Sequence, residues 1–152
     1  EAFSDEVLFV VFGAQSSVLK GITTTGLLRD SRKMALLYNA ADIFLGTALE
    51  EAFGQTLCEA AACSVPIVAF NVGGVPEVAR HDVNARLVDT ISADAIMKEL
   101  RYLKESPDVR AKLGRAGRAL VESEFTLKRQ GERWMQYLMA VTDPGRPETR
   151  LR

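Results

Sequence analysis

Two glutamates with seven residues between them, Glu51 and Glu59, are the side chains of this sequence best placed to do chemistry together. Between them lie Ala52, Phe53, Gly54, Gln55, Thr56, Leu57 and Cys58, and the run from Gln55 onward (QTLCEAAAC) is strongly helix-forming. The first N–H groups of a helix have no partner inside it, and the helix dipole favours negative charge at that end. A diphosphate therefore has a seat where Gly54 leads into the helix: Gly54 lets backbone approach a ligand closely, and Thr56 adds a hydroxyl donor. Such a seat needs neither a lysine cluster nor a metal. A carboxylate beside a phosphate would repel it. Glu51 in the loop and Glu59 about one turn into the helix are thus suited to accept hydrogen bonds from hydroxyls, which sugars and riboses present in adjacent pairs. As an isolated pair the two have a plainer account, Glu59 complementing the helix dipole and Glu51 solvated in its loop.

The elements that must position this stretch read as alternating strands and helices. Val7 to Phe12 is a continuous β-branched and aromatic run ended by Gly13, suited to a strand buried on both faces, and Ile22 to Thr25 is a second, weaker strand. Ser31 to Tyr38 has helical spacing, and Asp42 to Leu45 reads as a short strand followed by a loop through Gly54. After the helix from Gln55 to Cys63 come a buried strand, Pro66 to Phe70, and a loop from Gly73 whose Pro76 opens the next helix. A last strand, Ala85 to Val88, precedes helices near Ala93 to Lys104, Asp108 to Glu124 and Leu127 to Val141. This order predicts an α/β fold, a Rossmann-like open parallel sheet with helices on both faces. Ligands of such sheets bind beyond the carboxyl ends of the strands, where the loop from Gly46 to Gly54 lies.

At 152 residues and 47% hydrophobic composition the chain fits one domain, expected over residues 1–142, with a Pro-, Gly- and Arg-rich tail from 143 to 152 expected to be disordered. Nineteen basic against twenty acidic residues leave a charge of −1, which argues against nucleic acid or an anionic membrane as partner. Cys58 and Cys63, in an Ala-rich apolar stretch, read as buried free thiols of a reducing cytoplasm. Walker, Gly-x-Gly-x-x-Gly, zinc-type and Asp-x-Asp patterns are all missing, so neither a metal nor a cofactor is expected. His81, the only histidine, reads as a solvated or capping residue, and Lys20 as a solvated lysine. Trp134, Met135, Tyr137 and Leu138 are expected to pack or to support self-association.

Several stretches carry a resemblance. EAFGQTLCE is similar to a Glu-x7-Glu motif, EAAACSVPIVAF to the helix and strand that follow it, NVGGVPE to the next glycine loop, and MALLYNAADIFL to the approach. From about Val7 to Tyr137 the chain thus resembles the C-terminal, donor-binding domain of retaining GT-B glycosyltransferases of the bacterial group 1 type. The resemblance implies a nucleotide diphosphate sugar as donor, with Glu59 on the ribose hydroxyls and Glu51 on hydroxyls of the transferred sugar. It also implies that backbone around Ala52, Phe53, Gly54 and Gln55 holds sugar and phosphate, although Phe53 reads equally well as packing. Transfer in the family retains anomeric configuration and needs no protein nucleophile, so beyond Glu51 no catalytic residue is assigned here. Glu77 is better read as charging the start of its helix.

The sequence also departs from the family. The first strand of the domain, with the Arg/Lys loop that steadies the leaving phosphate, should precede Val7, yet only six residues do. A partial domain lacking that strand is therefore expected, in which the Val7 and Asp42 strands pair directly or borrow a strand from another chain. Ser64, Asp82 and Ala85 stand where the family has glycine, which would strain any of these turns that needs positive φ. Thr47 and Ala48 replace a usual Pro-Ser pair. With the N-terminal acceptor domain absent too, this stretch alone is expected to be inactive, at work in the cytoplasm or at the cytosolic face of a membrane. The alternatives are a noncatalytic nucleotide-sugar-binding module or inactive paralogue, and a GT-B epimerase.

Overall fold

The computed structural model describes residues 7–13 and 21–142. They fall into two compact units, one within Glu1–Ala40 and one within Ala41–Arg152. The tail expected to be disordered lies outside the described residues, as does Lys20.

In the first unit β1 (Phe9–Phe12) and β2 (Ile22–Gly26) pair in parallel, Phe9 opposite Ile22, and α1 (Ser31–Asn39) follows. Asp30 caps α1, its Oδ1 accepting from the Arg32 N–H at 2.8 Å, one of the donors a helix start leaves unpaired. Buried Tyr38 meets the Phe12 ring edge-on at 5.8 Å. The expectation that β1 is buried on both faces does not hold, because Val10 and Val11 are each 39% exposed. Two strands and one described helix carry too little apolar surface to cover both sides of the pair.

The second unit holds β3 (Phe44–Gly46), α2 (Gln55–Ala62), β4 (Ile67–Phe70), α3 (Val75–Val78), β5 (Ala85–Val88), α4 (Ala93–Glu105), α5 (Pro107–Glu124) and α6 (Leu127–Thr142). Its sheet has the order β3-β4-β5, parallel throughout, with Phe44 opposite Ile67 and Ile67 opposite Ala85. Successive strand residues point to opposite faces, and all four residues of the central β4 are buried, so both faces of the sheet are covered. Fully burying a side chain such as Ile67 contributes about 1.5–3 kcal/mol. Around Ile67 and Ala69 pack Leu57 and Ala61 from α2 and Val75 and Val78 from α3. Asn84, 1% exposed, bridges α3 to β5: its Oδ1 accepts from the Arg80 N–H at 2.7 Å and its Nδ2 donates to the Val78 carbonyl at 2.9 Å. The architecture is the expected α/β, Rossmann-like open parallel sheet.

The expected pairing of the Val7 and Asp42 strands, direct or through a borrowed strand, concerns strands of different units, β1 in the first and β3 in the second.

Two of the three replaced glycines do sit at left-handed positions, Ser64 with φ 61° and Asp82 with φ 60°. Ser64 closes α2: its N–H donates to the Ala61 carbonyl and the Val65 N–H to the Ala60 carbonyl, the paired bonds of a helix end that calls for glycine. Ala85 begins β5 and needs no such conformation.

Candidate functional site

The carboxyl end of β3 and the amino end of α2 enclose a cavity of about 160 Å3. Phe44, Leu57, Ala69 and Val75 give it apolar walls, and Thr47, Glu51 and Thr56 bring polar groups to it. It can admit part of a ligand, such as a sugar ring or a phosphate, and is smaller than clefts that enclose whole drug-sized molecules.

Gly54 makes the entry to α2 with φ 87°, a left-handed conformation natural to glycine, and no side chain caps the helix there. A Cβ added to Gly54 would stand 2.5 Å from Leu57 Cδ1, so the residue is required for space as well as for angle. The uncapped start leaves α2 able to meet an anion with backbone N–H groups and its positive dipole end.

Half-buried Glu51 is fixed twice. Its Oε1 accepts from the Phe53 N–H at 3.2 Å, and its carbonyl accepts from the Gly74 N–H at 2.7 Å. The Phe53 ring packs edge-on against Phe125, centroids 5.7 Å apart. Half-buried Glu59 lies on α2, its Oε1 accepting from Gln55 Nε2 one turn back at 3.3 Å. Of the residues singled out from the sequence, Glu51 and Thr56 line the cavity, whereas Ala52, Phe53, Gly54, Gln55 and Glu59 belong to the loop and helix beside it without lining it.

Burial, then the charge of Glu59, pushes the Cys58 thiol above its ordinary range, and burial does the same for Cys63 against the opposing charge of Arg118. Neither is a thiolate nucleophile at neutral pH. His81 staples the turn into β5, Nδ1 accepting from the Leu87 N–H at 3.0 Å and Nε2 facing Asp82 Oδ2 at 3.4 Å, and it does not line the cavity. Among the described residues no group of three or more His, Cys, Asp or Glu side chains could hold a metal ion. Sequence reasoning missed Phe125, which meets Phe53 across 72 residues and follows no short-range pattern. It also passed over Thr47 as a lining residue, though its place directly after β3 was a usable signal.

The family model described as "Glycosyl transferases group 1" matches residues 14–120, more than half of the sequence. The chain belongs to the group 1 glycosyl transferases. It is 36% identical over 108 residues to a GDP-mannose-dependent monoacylated alpha-(1-6)-phosphatidylinositol monomannoside mannosyltransferase of Corynebacterium glutamicum, an overlap of 66% of this chain and 28% of that protein. Sucrose-phosphate synthase from Thermosynechococcus elongatus superposes with a TM-score of 0.71 at 27% identity, covering 79% of this chain and 31% of the other. Anabaena HepE, solved in complex with UDP-glucose, superposes with a TM-score of 0.69 at 23% identity over 80% of this chain and 33% of its own, a likeness of fold. This group 1 chain spans 19–28% of the length of the first curated relatives it matches. No described helix is long and apolar enough to cross a membrane.

Proposed function

We propose that this chain is the donor-binding part of a retaining glycosyltransferase, taking a sugar from a nucleotide diphosphate sugar and passing it to an acceptor held by a segment N-terminal to this one. The observation that carries the reading is the convergence of Glu51, Thr56 and the uncapped start of α2 at one cavity beyond the carboxyl end of β3. In this reading the diphosphate sits at the start of α2 with Thr56 donating to it, Glu51 accepts from hydroxyls of the sugar, and Glu59 accepts from the ribose. The cavity holds only part of such a ligand, and the remainder runs over the loop from Ala52 to Gln55. A nucleotide diphosphate sugar is favoured by the UDP-glucose held in HepE and by the GDP-mannose dependence in the name of the Corynebacterium relative.

As the sugar leaves, negative charge grows on the departing phosphate, and the α2 dipole stabilises it. The acceptor hydroxyl loses its proton to that phosphate, so no protein nucleophile is needed, in keeping with the raised thiols of Cys58 and Cys63. Those free thiols suit a cytoplasmic setting. The exposed face of α6 carrying Trp134, Met135, Tyr137 and Leu138 is assigned to packing against the acceptor-binding segment or a second copy.

Comparing Glu51→Ala with Glu59→Ala tests the assignment. Losing a hydrogen bond to a charged group costs roughly 1.5–3 kcal/mol, about 10- to 100-fold in affinity. Glu59→Ala is expected to weaken the free nucleotide and its sugar conjugate alike, Glu51→Ala the conjugate alone. Equal effects of Glu51→Ala on both ligands would overturn the division of roles.

A further inference from the structure

Phe125 stands at the break between α5, which ends at Glu124, and α6, which begins at Leu127. Partly buried, it packs against the core cluster of which Leu57, Val75 and Val78 are members. The end of α5 is tied down next to it, because both Glu124 carboxylate oxygens accept from Arg80, at 3.0 and 2.8 Å. Its ring also meets Phe53 edge-on, with the planes at 61°.

Phe53 immediately precedes Gly54, whose left-handed turn sets the direction in which α2 begins. Its N–H is also the donor to Glu51 Oε1. Phe53 is 39% exposed, so its ring is not locked by burial. The bond from the Gly74 N–H to the Glu51 carbonyl anchors the loop two residues earlier, and the aromatic contact anchors it at the helix entry. Without the second anchor the loop gains freedom where the first N–H groups of α2 must be aimed, and a ligand would have to order it on binding.

We infer that Phe125 is a positioning residue for the candidate site: through Phe53 it holds the Gly54 turn and the Glu51 carboxylate in the arrangement a nucleotide sugar meets. The identity of the ligand rests on the function proposed above; the anchoring of the loop does not.

The test uses Phe125→Leu, which keeps bulk and removes the ring, with Phe125→Tyr as the conservative variant, in this chain. Amide hydrogen exchange is followed at Phe53 and Cys58, whose N–H groups bond to Glu51 Oε1 and the Gly54 carbonyl, and at β4 as the reference for the core. UDP, GDP and ADP affinities are measured beside them. Phe125→Leu is expected to speed exchange at Phe53 and Cys58 and not in β4, and to weaken nucleotide binding roughly threefold to tenfold, the scale of one aromatic pair. Phe125→Tyr should restore both. Unchanged exchange at Phe53 and Cys58, or equal acceleration in β4, would overturn the inference. If Glu59→Ala abolishes binding and Phe125→Leu leaves it intact, the inference falls and the donor reading stands. If the wild-type chain binds no nucleotide and Phe125→Leu still frees the loop selectively, the donor reading falls and the anchoring stands.

Discussion

Gly74 lies so close to Ala52 that a Cβ added to it would come within 2.1 Å of the Ala52 carbonyl oxygen. Its neighbour Gly73, at φ 50°, stands equally near the Glu51 carbonyl oxygen. The two glycines are thus what lets the loop carrying Glu51 rest on the turn before α3. Gly74→Ala should push that loop away, break the bond from the Gly74 N–H to Glu51, and cost about 2–3 kcal/mol in urea denaturation. Gly131, in α6 with nothing within 4 Å, is the control; Gly131→Ala should be neutral or mildly stabilising.

Ser64 and Asp82 offer the opposite test. A residue with a Cβ pays roughly 1–2 kcal/mol for a left-handed conformation, while glycine adds up to about 1 kcal/mol of entropy to the unfolded chain. Ser64→Gly is therefore expected to stabilise by about 0.5–1 kcal/mol. Asp82→Gly should be near neutral, because aspartate tolerates the conformation and its carboxylate pairs with Arg86 and faces His81. Denaturation midpoints measured side by side check the order; a destabilised Ser64→Gly would refute it.

Glu124 gives a dependence on acid. Its hydrogen bonds with Arg80, opposed by desolvation and reinforced by the charges of Arg80 and Arg133, hold its carboxyl below the ordinary value of 4.5. A carboxyl whose pKa is lowered on folding stabilises the protein above its unfolded pKa, and that stabilisation is lost as pH falls through the lower, folded value. Wild type should therefore exceed Glu124→Gln in stability at pH 7, and the gap should close as pH drops below about 4.5. A gap of the same size at pH 7 and pH 3 would contradict it.

Much of the fold was legible because its strands are short apolar runs between turn residues. The strand read at Pro66 to Phe70 is β4, that at Ala85 to Val88 is β5, and Pro76 opens α3 as expected. Strand adjacency was not legible. Val7 to Phe12 says that a strand forms but not which edge it bonds, and its pairing with β2 depends on register that composition does not encode. The cavity was legible in part, since Glu51 and Thr56 sit at a strand end and a helix start. The links from Glu51 to the Phe53 N–H and from Phe53 to Phe125 arise from the turn at Gly54 and the break after α5, which only tertiary packing fixes.

The central claim is that the start of α2 and Glu59 together hold a nucleoside diphosphate. Calorimetric titration of this chain with UDP, GDP and ADP, repeated on Glu59→Ala, tests it most directly. One nucleotide is expected to bind, naming the base, and Glu59→Ala should weaken it by roughly tenfold or more. Silence across all three, or binding that Glu59→Ala leaves unchanged, would contradict the claim.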